Sequence, residues 1–437
     1  MSNNCPTPSS PLIFLELNEV NFEYVEHYIA SGKLPAFQRL FRENGYVTTS
    51  SEQNYEELEP WIQWVTAHTG KPLSEHGVFR LGDIVKHDLP QIWEELEERG
   101  LRVGAISPMN ANNRLKSPAF FLPDPWTNTA LSAPAHYRRM FRAISRAVND
   151  NADAKISGKV ALDLLLGAAR AANPLNYARY VKLAARAKSA PWSRAMFLDL
   201  LLADLFMQQV SATRPDFSSL FLNAAAHIQH HYMFSSSAYD GPHRNPDWYI
   251  DADADPLLEI YQLYDHILAT VRRRFPEARL MLGTGLHQDP HHDLTFYWRL
   301  RDHAAFLRLT GVPFRSIEPR MSRDFVLVCS GPDQAVTAEA RLNRITGIDG
   351  RPLFEVDNRG CDLFVMLTWP DDIKDDTAWL VDGERHEGLR EHVAFVAIKN
   401  GRHNGTGYFA DTGKPSGQMA DFPLRDMPGR IRDALAV

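Results

Sequence analysis

Three histidines, His227, His230 and His231, stand just behind the apolar run Ser219-Leu-Phe-Leu222, separated from it by Asn223 and three alanines. Neutral imidazole is a common ligand for divalent metal ions. His227 and His231 are four apart, so they share one face of any helix that starts after the apolar run. A second polar cluster, His287, Asp289, His291, His292 and Asp293, follows the apolar stretch 278–283. A third histidine site, His403, lies in the glycine-flanked loop 401–407. Two more polar groups stand at element ends. Asn18 and Glu19 close the run Leu12-Ile-Phe-Leu-Glu-Leu17, and Glu59 precedes Pro60. A turn with a helix cap explains Asn18 and Glu19 as readily as a ligand role does, and Glu59 suits the amino end of a helix.

These groups must be held by regular elements. Residues 11–17 and 219–222 read as buried parallel strands, because continuous apolar runs suit strands covered on both faces. After the first strand, Phe22, Val25, Tyr28 and Ile29 recur at helical spacing up to Gly32, and Leu34-Pro35 opens a second helix. Pro60 fits the first turn of a helix carrying Trp61, Trp64, Val65 and His68, which ends at Gly70. Residues 90–99 and 101–107 give another helix and strand. Residues 257–275 give a long amphipathic helix, with Ile260, Leu263, Tyr264, Ile267 and Val271 on one face. From Asp324 the order strand, helix, strand predicts a small α/β cap. Polar groups at the carboxyl ends of several parallel strands are how an open α/β sheet presents a ligand site.

The 437 residues hold 44% hydrophobic and 23% charged side chains, ordinary for a globular protein, with a formal net charge of -7. That balance implies no global attraction to nucleic acid. The three cysteines, Cys5, Cys329 and Cys361, are far apart in sequence. They give neither a zinc-finger spacing nor a disulfide framework, which predicts a reducing, cytoplasmic compartment. No basic-then-apolar leader opens the chain. The most apolar stretch, 196–210, contains Asp199 and Asp204 and is too short to span a bilayer.

Residues 133–212 differ from the rest, being helical in pattern, rich in Ala and Arg, and without strand signal. Between Arg138 and Arg194 there are 12 Lys and Arg against 3 Asp. The expected organisation is therefore an α/β domain formed by 1–132 and 213–437, with 133–212 as an inserted basic helical subdomain. Such a basic face suits an anionic partner, including a membrane surface.

Four stretches together resemble the alkaline phosphatase-like superfamily, in its type I phosphodiesterase/nucleotide pyrophosphatase branch. They are residues 12–40, the run 64–79 (WVTAHTGKPLSEHGVF), the pair 223–233 and 259–288, and the loop 401–410. The resemblance implies a three-layer αβα fold with a mostly parallel central sheet and a helical insertion. It also implies two metals, usually zinc, each held by Asp and His beside a Thr or Ser nucleophile. Several family positions are changed here. The first Asp falls at Asn18, the nucleophile near Pro60 beside Glu59, the Asp of Asp-x-x-x-His at Ala226, and the Asp-His pair at Thr284-Gly285, with His287 two residues on. The two histidines at 230 and 403 match.

The expected function is hydrolysis of a phosphate ester or phosphodiester at a histidine-rich site. Asn18, His230, His287 and His403 would hold a divalent metal, zinc or manganese, as one ion or none. Glu59 and His227 would do the catalytic proton chemistry on a small anionic ester. The alternative is an inactive relative that binds an anionic ligand or partner, in surface-glycan or envelope metabolism.

Overall fold

The computed structural model describes residues 10–149, 166–320 and 323–437. The chain divides into two compact units. The first comprises residues 1–240, 251–290 and 401–437, and the second 241–250 and 291–400.

The first unit is built on an eight-stranded sheet. Its strands are β1 (Leu12–Leu17), β2 (Val47–Ser50), β3 (Val103–Ile106), β4 (Phe120–Leu122), β5 (Phe217–Leu222), β6 (Arg279–Gly283), β7 (Thr406–Asp411) and β8 (Phe422–Pro423). The spatial order is β8-β2-β7-β6-β1-β5-β3-β4. β1 lies between β5 and β6, parallel to both, in the register Leu17↔Leu222 and Glu16↔Gly283. Only β7 runs against its neighbours, β2 and β6. Every residue of β1 and β5 is buried, as continuous apolar runs at the centre of a two-sided sheet must be.

Helices cover both faces, giving the three-layer α/β fold expected from the sequence. On one face Leu12 and Phe14 pack with Trp64 and Ala67 of α3 (Pro60–Thr69), Trp93 of α4 (Ile92–Glu98), and Met427 and Ile431 of the last helix (Met427–Leu435). The other face holds α1 (Phe22–Ala30), α2 (Pro35–Asn44), α5 (Ser193–Thr213), α6 (Ala224–Tyr232) and α7 (Pro256–Arg274), with α5 against β5 and α7 against α2. Pro at the first turn starts α2, α3 and α7, where its missing N–H removes no helical bond.

The insertion expected at 133–212 does not stand apart. Its helix α5 lies against β3 and β5 and is mostly buried, so it is a layer of the α/β unit. Residues 150–165 of that stretch lie outside the described residues. At 21 residues α5 is longer than the sequence reading allowed, and long and apolar enough to cross a membrane, but 67% of its apolar window is buried inside the protein. Its two carboxylates are partnered. Asp204 accepts from Tyr180 and Asn176, and Asp199 from Tyr264 and the backbone N–H of Ala224. Burial pushes Asp199 up to about 6.

The second unit also departs from the expected boundaries, since 213–437 is not one domain. Its strands are antiparallel: Phe354–Asn358, Asp362–Leu367, Asp324–Val328 and Ser316–Pro319 form one sheet, and Ile345–Gly347, Trp379–Val381 and Glu384–His386 another. Asp324–Val328 and Asp362–Leu367 alternate buried and half-buried residues, so each has one covered face, as antiparallel sheets permit. Phe306, Phe325, Leu327, Val365 and Trp379 form its core. Two of the three cysteines meet here, where the backbone N–H of Cys329 donates to the carbonyl of Cys361 at 2.9 Å.

One stability prediction arises in the first unit. Glu94 closes the cap of α4 by accepting the N–H of Gln91, and burial pushes its carboxyl up to about 7. A raised carboxyl favours the protonated native state, so its contribution to stability falls as pH rises from 4.5 through 7. Glu94→Gln is expected to gain thermal stability relative to the parent at pH 8, by about 1 kcal/mol, and not at pH 4. Melting at the two pH values checks it.

Candidate metal centre

The carboxyl ends of β1, β5 and β6 lie side by side and each delivers polar groups to the same edge. β1 ends in Asn18 and Glu19, β5 in Asn223 and α6, and β6 in Thr284. Because β7 runs the other way, its amino end meets this edge and brings with it His403, which lies near the end of the strand Val393–Asn404 and not in the loop expected from the sequence.

Glu19 is at the centre. Its backbone takes φ 60°, a left-handed conformation that a side chain with a Cβ adopts at some cost. The conformation is held from both sides. Its N–H donates to Thr284 O at 3.1 Å, and Gln229 Nε2 donates to its carbonyl at 2.7 Å. Gln229 is fixed in turn by the hydroxyl of Tyr261 at 2.6 Å. An over-determined strained residue in a cluster of titratable groups is a functional signal. The carboxylate is 2% exposed and accepts from Asn18 Nδ2 at 3.0 Å and from Gln288 Nε2.

Two imidazoles converge on the same carboxylate oxygen. His230 Nε2 is 3.4 Å and His403 Nε2 3.2 Å from Glu19 Oε2, and the two nitrogens are 3.2 Å apart. Burial alone would raise the Glu19 carboxyl, but the charge of His403 and the hydrogen bonds from His230 and His403 outweigh it and hold it well below the usual carboxylate range.

This triangle can be tested for metal geometry. A tetrahedral ion with ligands at roughly 2.0–2.1 Å keeps those ligands about 3.3 Å apart. The three edges here are 3.4, 3.2 and 3.2 Å. One carboxylate oxygen and two Nε2 atoms are also the donor types zinc and manganese accept. The residues therefore fit a divalent cation, with further positions left for water or substrate.

The structure places the sequence-predicted residues unequally. His230 and His403 come together. Glu59 stands behind His403, its Oε2 3.8 Å from Nδ1, at the amino end of α3 without capping that helix through its side chain. Asn18 is not placed as a ligand. Its Oδ1 accepts from Trp64 Nε1 at 2.7 Å, and its Nδ2 donates to Glu19 and to Asn223 Oδ1. Its carbonyl oxygen accepts from an indole and its amide donates to Glu19, so its contacts orient the Glu19 carboxylate. His287 is outside the triangle too. Its Nδ1 donates to the carbonyl of Thr406, and its Nε2 faces Asp289 Oδ1 at 3.1 Å. Asp289 is held further by Asn404 Nδ2 at 2.8 Å. His227 lies outside the triangle, its ring packed edge-on against His231 with centroids 4.7 Å apart.

The residue that sequence reasoning undervalued is Glu19. It was visible as a carboxylate at a strand end, but a turn and cap explained it equally well. What selects it over Asn18 is the left-handed backbone, which turns residue 19 toward the histidines. Gln229 and Gln288 carry no sequence signal, since a buried glutamine is recognised only by its partners.

An open cleft of about 460 Å³ is lined by Ser10, Ile13, Arg279 and Thr412, at the amino ends of β1 and β6. Ligands of open α/β sheets bind at the carboxyl edge, which is the edge that carries Glu19, His230 and His403.

No family model matches the chain, and no curated protein matches it. Solved structures do. Phosphonoacetate hydrolase from Sinorhizobium meliloti 1021, in complex with phosphonoacetate, is similar over 98% of this chain and 97% of that one, at 13% identity and a TM-score of 0.44. The wild-type alkaline phosphatase PafA is similar over 99% and 96%, at 12% identity and 0.47. Murine ectonucleotide pyrophosphatase / phosphodiesterase 5, in complex with AMP, is similar over 98% and 95%, at 10% identity and 0.44.

Proposed function

We propose that this protein is a divalent-metal-dependent hydrolase of a small phosphate ester or phosphodiester, with Glu19, His230 and His403 as the metal ligands. The observation that carries the reading is the triangle of one carboxylate oxygen and two Nε2 atoms with edges of 3.2–3.4 Å. Bound there, the metal would supply Lewis acidity and a water of lowered pKa. The protein does the rest. Asn18 and Gln288 hold the Glu19 carboxylate in one orientation. Glu59 faces the far nitrogen of His403. At 3.8 Å this is ion-pair distance and not a hydrogen bond, but a carboxylate on that side favours the proton on Nδ1, which leaves the Nε2 lone pair for the metal. Glu59 is also a carboxylate one residue removed from the triangle and half-exposed. We assign it the proton of the attacking water.

Elemental analysis of the purified protein tests the reading, with a His230→Ala, His403→Ala double variant beside it. Stoichiometric zinc or manganese, lost in the variant, supports it, and turnover in a panel of phosphate mono- and diesters completes it. Metal that binds without turnover on any ester moves the protein to the other reading, an inactive relative that binds an anionic ligand. No metal in the parent overturns both the ligand set and the hydrolase.

Glu59→Gln separates the two roles given to Glu59. Loss of the charge behind His403 is expected to weaken metal affinity by about 10–100-fold. Restoring full metal occupancy at high metal concentration is expected to leave turnover depressed, because Gln accepts no proton. Recovery of full turnover on saturation would leave Glu59 with the positioning role alone.

A further inference from the structure

Cys329 and Cys361 are directly opposite each other at one end of an antiparallel strand pair. The ladder of Asp324–Val328 with Asp362–Leu367 runs in the register Leu327↔Leu363 and Val328↔Asp362. One step further along the same register pairs residue 329 with residue 361, and the Cys329 N–H donates to the Cys361 carbonyl at 2.9 Å. At the other end of the ladder the Leu367 N–H donates to Arg323 O at 3.2 Å. Residues 323, 325, 327 and 329 therefore occupy the hydrogen-bonded positions. Opposite residues at such positions have Cα atoms about 5.5 Å apart and side chains on the same face. Disulfides span Cα separations of about 4.4–6.8 Å, most often about 5.5–6 Å. The face is identified by burial. Phe325, Leu327, Leu363 and Val365 are buried, and Cys329 and Cys361 continue that face to its end.

The two thiols differ in access. Cys329 is buried and Cys361 is exposed, and both are free. Cys361 follows the turn Asn358-Arg359-Gly360, in which Gly360 has φ 93°. That turn gives the exposed cysteine room to adjust while the buried one stays in the sheet.

We propose that Cys329 and Cys361 form a redox-modification site that closes a cross-strand disulfide by exchange with a low-molecular-weight disulfide such as oxidised glutathione. The exposed Cys361 thiolate attacks one sulfur of the small disulfide, forming a mixed disulfide and releasing one small thiol. The Cys329 thiolate then attacks the Cys361 sulfur, forming the protein disulfide and releasing the second small thiol. Two protein thiols are oxidised and one small disulfide is reduced to two thiols, so atoms and electrons balance. Burial raises the Cys329 thiol above its ordinary range, so the second step is the slower one and quickens with rising pH.

The test uses the folded 437-residue chain with Cys5→Ser, which leaves these two as its only thiols. Incubation with oxidised glutathione is followed by thiol counting and by peptide mapping without reductant. The expected result is that free thiols fall from two to none, that the map shows the 329 and 361 peptides linked within one chain, and that dithiothreitol restores both thiols. Adding Cys329→Ser is expected to stop the reaction with glutathione on Cys361. If that variant does not fold, the map of the parent still reads the outcome. Glutathione retained on Cys361 while Cys329 stays a thiol would overturn the proposal. So would linkage only between two chains, or two unreacted thiols.

Discussion

On the proposed ligand set, Glu19→Gln is expected to lose the divalent metal and to lower the proposed phosphoester hydrolysis by on the order of 10³-fold, the scale of several kcal/mol of charge stabilisation in the transition state. The substitution keeps the side-chain volume and leaves the left-handed backbone at residue 19 as it is. It removes the single charge on which both imidazoles converge. Metal content by elemental analysis and turnover of the best ester from the panel are the readouts, with circular dichroism to show the fold is kept. A variant that retains stoichiometric metal would remove Glu19 from the ligand set. The metal-free protein offers a second readout. The folded Glu19 carboxyl lies below its ordinary value of 4.5. Its contribution to stability is therefore present above that pH and lost as pH falls from there toward the folded value. Between pH 5 and pH 3 the metal-free parent is expected to lose more stability than Glu19→Gln.

Trp64→Ala is expected to have the largest effect on the fold, about 3–5 kcal/mol, the range for deleting a fully buried large aromatic. Trp64 is 0% exposed. Its ring packs against Phe14 of β1 and edge-on against Phe221 of β5, with centroids 6.3 and 5.4 Å apart. Gly285, in a left-handed turn, lies so close that an added Cβ would come within 3.0 Å of the indole. The indole N–H is also the partner of Asn18 Oδ1, which links core packing to the metal triangle. Trp64→Phe divides the two effects. It keeps most of the apolar contact, leaves a buried carbonyl without its donor at a cost of about 1–3 kcal/mol, and frees Asn18 to turn away from Glu19. Urea unfolding of both variants reads the stability. A Trp64→Phe protein with unchanged metal affinity would show that Asn18 holds Glu19 without the indole.

The sequence by itself determined the sheet and its polar edge. Apolar runs as unbroken as LIFLEL and SLFL have no stable place except between two helix layers, and strands 1, 5 and 6 lie there, parallel and adjacent. The prolines at 35 and 60 marked two helix starts, because proline's missing N–H suits the first turn. His230 and His403 were legible as site candidates because each follows or precedes a strand whose end must lie at that edge. Tertiary structure decided the rest. Glu19 and Asn18 are neighbours with similar polarity, and only the backbone at residue 19, pinned by Thr284 and Gln229 from distant strands, points one carboxylate at two histidines. The apolar, Leu-rich helix 193–213 looked like part of an insertion, yet it packs on β3 and β5 and is mostly buried, which makes it a layer over the sheet. Cys329 and Cys361, 32 positions apart, became partners through antiparallel register. Spacing along the chain encodes periodicity within an element. It does not encode which elements meet, and that is where a charge, a carboxamide or a thiol finds its partner.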